Sequence, residues 1–297
     1  MLRILAGAPR RLLVCSTVTK NFEKGGYNHH PIRVHSMTRN RRFACLPIAL
    51  VVSALSASVA LADGTAEKKG ECPVEQFTMA LRYQQQSAEV RALQMQAYNI
   101  ATEKLDAAVA AAEDPSKLAI VTDVDETVID NSALLARDLA NCHSYDGWDT
   151  WLPWERDGDP VLIPGARKFL EHADQLGVTI RYVSDRSEEQ KDYTLKALKK
   201  LDLPQVSADS VLLLGPPKVE RRALVAKDHR IVMLLGDTLH DFDARFRKTP
   251  VAEQRATAEA ESAKWGTEWI VFPNAGYGTW SKEPLKAWDA KPVIEKW

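Results

Sequence analysis

The stretch AIVTDVDETVIDNS, residues 119–132, decides how the rest of the chain is read. An apolar run of strand character ends in two aspartates one residue apart, Asp123 and Asp125. Burying a carboxylate is costly unless it is paired or bound to a metal. These acids therefore either face water at a strand end or meet something cationic there.

Downstream, the same arrangement recurs. Strand-like runs occupy 118–122, 178–183, 211–214, 231–235 and 269–272. Helical patterns lie between them at 166–176, 188–200, 219–226, briefly after Asp237, and at 252–264. Gly177 and Gly266 stand where C-terminal caps belong. Short apolar strands alternating with helices predict an α/β fold, a doubly wound parallel sheet covered on both faces. Ligands in such sheets gather at the carboxyl ends of the strands.

Four of those ends carry polar groups: Asp123-Val124-Asp125-Glu126-Thr127, then Ser184-Asp185-Arg186, then Lys218 behind Gly215-Pro216-Pro217, then Gly236-Asp237 with Asp241 four residues on. Any one of these is ordinary for a strand end. The ordered set is not. It suits a hard cation held by oxygen ligands and a phosphate held by hydroxyl, ammonium and backbone N–H groups.

Two segments depart from the alternation. Residues 77–112 contain no Gly or Pro and read as helix, with a polar interruption near Gln85-Gln86-Ser87 that suggests two helices. Residues 126–164 carry Tyr145, Trp148, Trp151 and Trp154, and read as an excursion over the functional edge of the sheet. The expected organisation is thus a leader at 1–62, N-terminal helices within 63–112 contributing to a small, mostly helical cap, and a core at 113–297 with its cap excursion at about 126–164.

The leader is basic and then apolar. Arg39, Arg41 and Arg42 precede an uncharged run at 43–62 that closes on Ala60-Leu61-Ala62. That pattern predicts a secretory signal, with Met37 as the natural start and 1–36 an upstream extension. The competing reading is an uncleaved anchor, since about 20 apolar residues span a bilayer. No cysteine stands where a lipid-anchored signal needs one. The chain holds 39 Lys plus Arg and 40 Asp plus Glu; nine of the bases but only Glu23 of the acids fall in the first 62 positions, which leaves the remainder at −9. Such a body repels nucleic acid polymers. Cys72 and Cys142 survive processing; in an exported protein they either pair or stay free, and spacing does not decide between the two.

The four motifs resemble those of the haloacid dehalogenase superfamily of phosphatases. A closer similarity is to class C acid phosphatases and 5′-nucleotidases of the lipoprotein e type. It is carried by SAEVRALQMQAYN (87–99), DETVIDNS (125–132), GWDTWLPW (147–154), IPGARKFL (163–170), GDTLHDF (236–242) and WIVFPNAGYGTW (269–280), and covers roughly 76–283. The resemblance implies a Mg²⁺-dependent phosphomonoesterase; the leader pattern makes the expected product exported, periplasmic or secreted, without a stable membrane anchor after cleavage, and a homodimer is allowed. Its substrates would be small phosphomonoesters, chiefly nucleoside 5′-monophosphates. Asp123 would be the nucleophile and Asp125 the acid and base. Asp123, Asp237 and the Asp125 carbonyl would hold the metal. Ser184 and Lys218 would bind phosphate oxygens, Arg186 would either help them or pair with a surface acid, and Asp241 would steady Lys218 or a metal-bound water. Tyr277, with Trp148 or Trp151, would stack a nucleobase.

The sequence also departs from the family pattern. Asp185 stands where Asn is usual, and Lys218 is followed by Val219-Glu220-Arg221, which keeps Arg221 and Lys227 as substitutes for it. The absence of a lipobox Cys argues against lipid anchoring. Two other readings of the same fold remain: a phosphotransferase that passes the phosphoryl group to an alcohol, and a non-catalytic binding or storage protein. A dehalogenase has no use for Asp125.

Overall fold

Leu118–Thr122 (β1) is buried along its whole length, and its alternate residues serve two separate cores. Leu118 and Ile120 pack on one side of the sheet, Ala119 and Val121 on the other. A strand buried on both faces must be central, and it is. The computed structural model, which describes residues 72, 74–144 and 147–287, has a five-stranded parallel sheet in the order β5-β4-β1-β6-β7. The other strands are Thr179–Ser187 (β4), Val211–Leu214 (β5), Arg230–Gly236 (β6) and Trp269–Val271 (β7). The chain leaves β1 toward β4 and β5, then returns to the far side of β1 for β6 and β7. The carboxyl end of β1 therefore faces the point where strand order reverses, the usual ligand crevice of open α/β sheets.

Helices cover both faces. On one, Ala88–Ala110 (α2), Ala166–Gln175 (α5) and Lys191–Lys200 (α6) supply Tyr98, Leu105, Phe169 and Leu198 to the main core. On the other, Lys218–Val225 (α7) and Val251–Ala260 (α8) cover smaller clusters around Val183 and Trp269. Fully burying an aromatic or branched side chain contributes about 1.5–3 kcal/mol, so the larger core dominates stability.

The interruption at Ser87 is real. Thr78–Gln86 (α1) ends there, Ser87 is extended (φ −77°, ψ 139°), and its hydroxyl accepts from the Val90 N–H at 3.0 Å to start α2. The split sends the two helices to different places. α1 packs on Ser132–Ala140 (α3) and, with Trp151–Asp157 (α4), forms a separate apolar cluster of Val74, Leu81, Leu134, Leu135 and Trp151 over the sheet edge. A two-stranded ribbon, Ile129–Asp130 (β2) and Val161–Leu162 (β3), closes the base of the 126–164 excursion. α2 instead lies against the sheet and α5.

Several boundaries differ from the sequence expectation. β4 runs on to Ser187, with an irregular register against β5 between Val183 and Ser187, so the motif residues 184–186 lie within the strand. The helix expected at 188–200 opens with a 3₁₀ turn at Glu188–Gln190 before α6. The one expected at 219–226 begins at Lys218, because Pro217 occupies the N-cap. The pattern at 252–264 breaks at Ala260 and continues as a 3₁₀ turn at Ser262–Lys264. Gly177 (φ +73°) and Gly266 (φ +74°) adopt the left-handed conformation that caps require.

Cys72 and Cys142 are joined in a disulfide, with Cα atoms 5.1 Å apart. The bond ties the segment entering α1 to the end of α3. Among the described residues no helix is long and apolar enough to cross a membrane; the leader expected at 1–62 and Tyr145 lie outside those residues. Closing a loop of 70 residues restricts the unfolded chain strongly. The double variant Cys72→Ser/Cys142→Ser should accordingly lose about 2–4 kcal/mol of stability, read from urea unfolding of the variant against the oxidised protein.

Candidate active site

After β1 the chain turns sharply. Asp123 N–H still donates to the Leu235 carbonyl of β6 (2.9 Å), but Val128 N–H folds back onto the Val124 carbonyl (2.9 Å) and Glu126 takes a left-handed conformation (φ +53°). This compact loop brings Asp123 and Asp125 onto one cavity of about 890 Å³, which Lys218, Asp237, Trp148 and Tyr277 also line. The four strand-end motifs thus converge.

Their partners divide them into two groups. In the first, the Lys218 ammonium donates to Asp123 Oδ1 (2.6 Å) and to Asp241 Oδ1 (2.5 Å). Lys218 reaches both because it is the first residue of α7, at the carboxyl edge of the sheet. Asp241 is fixed independently. Its Oδ2 accepts from the Thr238 N–H (3.0 Å) and hydroxyl (2.9 Å), and Arg222 donates to its backbone carbonyl (2.7 Å). Gly236 allows this close approach, since a Cβ there would lie 2.4 Å from Asp241 Cβ.

In the second group, Asp125 accepts from Ser184 Oγ (3.0 Å), from Arg186 Nε (3.0 Å) and Nη2 (2.9 Å), and from Asn131 Nδ2 (2.9 Å). Ser184 and Arg186, both expected around a phosphate, are thus oriented by Asp125. Trp154 Nε1 donates to Asn131 Oδ1 (2.7 Å), which anchors the cap to this network.

Asp123, Asp237 and Asp241 offer carboxylate oxygens within 4.8 Å of one another. Burial pushes the Asp123 carboxyl up to about 7, with Asp241 and Asp125 adding to the rise against the pull of Lys218. Asp237 is pushed well above the usual range, by burial first and then by Asp123 and Asp241. It accepts a hydrogen bond from a neutral amide, Asn274 Nδ2 at 2.7 Å. Burial alone would lower the Lys218 ammonium, yet Asp123, Asp241 and Asp185 hold it above its ordinary value. An all-oxygen, acid-rich set of this kind fits a hard divalent cation. Asp241, expected beside Lys218, also belongs to that set, whereas the Asp125 carboxylate is turned to Arg186.

The remaining candidates are placed plainly. Arg221 is buried and donates to the carbonyls of Ser184 (2.6 Å) and Leu212 (3.0 Å) and to Asp185. Lys227 is exposed, and it is Lys218 that reaches the acids. Partial desolvation would raise the carboxyl of the exposed Asp185, but His240, Lys218 and Arg221 hold it below the usual range. Its extra negative charge is therefore neutralised locally. Trp148, about half exposed and left-handed (φ +56°), stands 5.5 Å from Trp151, and Tyr277 meets both rings edge-on at 5.7 Å. Trp151 is buried, so Trp148 and Tyr277 offer more of the open aromatic surface.

Sequence reasoning assigned no role to four residues here. Glu126 accepts from the Tyr277 hydroxyl and from the Asn131 N–H (2.8 Å). Asn131 and Asn274 link loops to carboxylates. Glu155, on α4, lines the cavity near Arg186, and burial raises its carboxyl to about 7. Asn131 and Asn274 lie inside stretches that stood out in the sequence, but nothing in composition ranks an Asn there above its neighbours.

Comparison with known proteins agrees with this geometry. Residues 48–280 match the family model described as HAD superfamily, subfamily IIIB (acid phosphatase). The fold is similar to the class C acid phosphatase from Bacillus anthracis in two crystal structures. The one with tungstate bound has a TM-score of 0.69 and 33% identity, over 73% of this chain and all of that one. The other has a TM-score of 0.67 and 34% identity, over 73% of this chain and 99% of that one. With the model spanning most of the chain and the strand-end acids in place, the protein belongs to the subfamily IIIB acid phosphatases of the HAD superfamily.

Proposed function

We propose that this acid phosphatase is an exported, Mg²⁺-dependent enzyme that hydrolyses nucleoside 5′-monophosphates and related monoesters through an aspartyl-phosphate on Asp123. The observation that carries the reading is the meeting of Asp123, Asp237 and Asp241 with Lys218 at the carboxyl edge of the sheet. Asp123 attacks phosphorus, the ester P–O bond breaks, and Asp125 gives a proton to the departing alkoxide. Asp125 then takes a proton from the water that attacks the phosphoenzyme, and phosphate leaves. Lys218, already between two acids, bears on the phosphoryl oxygens. Ser184 and Arg186, oriented by Asp125, supply the remaining donors.

Asp123 and Asp237, with the Asp125 carbonyl and with Asp241 beside them, would hold Mg²⁺, which supplies positive charge that shields the nucleophile from the phosphate. Trp148 and Tyr277 form the wall on which a nucleobase would stack, with Trp151 behind them. The disulfide supports an oxidising compartment, periplasmic or extracellular.

Four outcomes check this reading. Asp123→Asn should abolish phosphate release from every monoester, and a chelator should do the same to the parent protein until Mg²⁺ is returned; persistence of either activity would remove Asp123 or the metal from the mechanism. Lys218→Met should lower kcat by roughly 10²–10³, the range seen when one donor to a developing charge is lost. Tyr277→Ala should weaken kcat/KM for AMP by about 5- to 150-fold, since base stacking contributes roughly 1–3 kcal/mol, and should spare a small aryl phosphate. Equal losses on both esters would count against the stacking wall.

A further inference from the structure

Asn274 touches two parts of the site at once. Its Nδ2 donates to Asp237 Oδ2 at 2.7 Å. Its Oδ1 accepts from the Gly276 N–H at 2.8 Å and from the Tyr277 N–H at 3.4 Å. The two backbone donors fix the amide's orientation, because only the oxygen can receive them; the NH₂ group is left for Asp237. The turn itself is closely seated. A Cβ on Gly276 would fall 2.7 Å from Leu135 Cδ1 in the cap cluster. Tyr277, next in sequence, carries the edge-on contacts to Trp148 and Trp151.

We infer that Asn274 is a positioning residue that couples the cation site to the aromatic wall, orienting Asp237 with one end of its amide and the Gly276–Tyr277 turn with the other. The inference rests on the reading of Asp237 as a metal ligand. Carboxylate ligands are oriented by hydrogen bonds from outside the coordination sphere, and losing such a partner typically costs 10–100-fold in metal affinity. Here the same side chain also sets where Tyr277 stands. Metal affinity and discrimination between leaving groups therefore depend on one residue.

Gln84 of α1 provides the control. It grips the same loop, donating to the Pro273 carbonyl (3.0 Å) and accepting from the Ala275 N–H (3.0 Å), on the residues flanking Asn274 rather than on Asp237. A role confined to holding the loop would make the two residues equivalent. A coupling role makes them differ toward the metal and agree toward the substrate.

The test measures Mg²⁺ binding to the purified protein by calorimetry without substrate, beside the ratio of kcat/KM for AMP to that for phenyl phosphate. Asn274→Ala should weaken Mg²⁺ binding at least tenfold and lower the ratio at least fivefold. Gln84→Ala should lower the ratio while leaving the Mg²⁺ dissociation constant within twofold. Asn274→Ser guards against a variant that does not fold. Its hydroxyl can still accept from the turn but is too short to reach Asp237, so it should reproduce the loss of Mg²⁺ affinity with a ratio nearer the parent's. Unchanged Mg²⁺ affinity in both Asn274 variants, or an equal loss in Gln84→Ala, overturns the inference and leaves the phosphatase reading intact. A parent protein that hydrolyses the esters yet binds no Mg²⁺ overturns the metal reading and this inference together.

Discussion

Everything at the edge of the sheet depends on keeping like charges together. Asp123, Asp125, Asp241 and Glu126 are all buried, Asp237 lies beside them, and few cations answer them. Uncompensated buried charge costs several kcal/mol per group even after relaxation. Lys218 between Asp123 and Asp241, and Arg186 across Asp125, are the contacts that make the arrangement tenable. Asp237 accepts instead from the neutral amide of Asn274, and its carboxyl is pushed well up by burial and by its acidic neighbours. An imbalance left at one carboxylate is what a cation site needs in order to bind its ion rather than merely tolerate it.

The fold exists to hold that imbalance. β1 is buried on both faces, so its end cannot drift. β4 and β6 flank it and deliver Ser184, Arg186 and Asp237 to the same edge, while α7 begins at the residue whose ammonium is required. Arg221 and Arg222 look surplus in the sequence. Both are buried and spend their donors on backbone carbonyls near the site, at Ser184 and at Asp241 respectively. They are the reason two adjacent arginines interrupt an otherwise ordinary amphipathic helix.

Much of this was legible in the residues. The central strand, the doubly covered sheet and the convergence of four motifs follow from apolar runs that end in acids, because a parallel sheet leaves their carboxyl ends nowhere else to go. The break at Ser87 was visible as a rise in polarity. What periodicity could not supply were the sideways relations. That Ser184 and Arg186 would turn to Asp125, that Asp241 would join the acidic triad, and that Arg221 would answer the unusual Asp185 all depend on rotamers and loop paths. The parts played by Asn131, Asn274 and Glu126 were hidden for the same reason: each matters through hydrogen bonds whose partners only the folded loops bring within reach. The Cys72–Cys142 pairing likewise needed coordinates, since spacing alone permits both outcomes.

The parting of α1 from α2 at Ser87 has a bearing on how such an enzyme can diversify. The roof over the pocket is assembled from two distant stretches of polypeptide, one entering before the first strand and one leaving after it, stitched by a disulfide. The continuous helix-rich insert is therefore not a self-contained module. Transplanting 126–164 alone from a relative would carry over half a roof and strand Leu81 and Val74 without their packing partners. New substrate ranges on this scaffold must come from point changes on the pocket wall, or from exchanging both stretches at once.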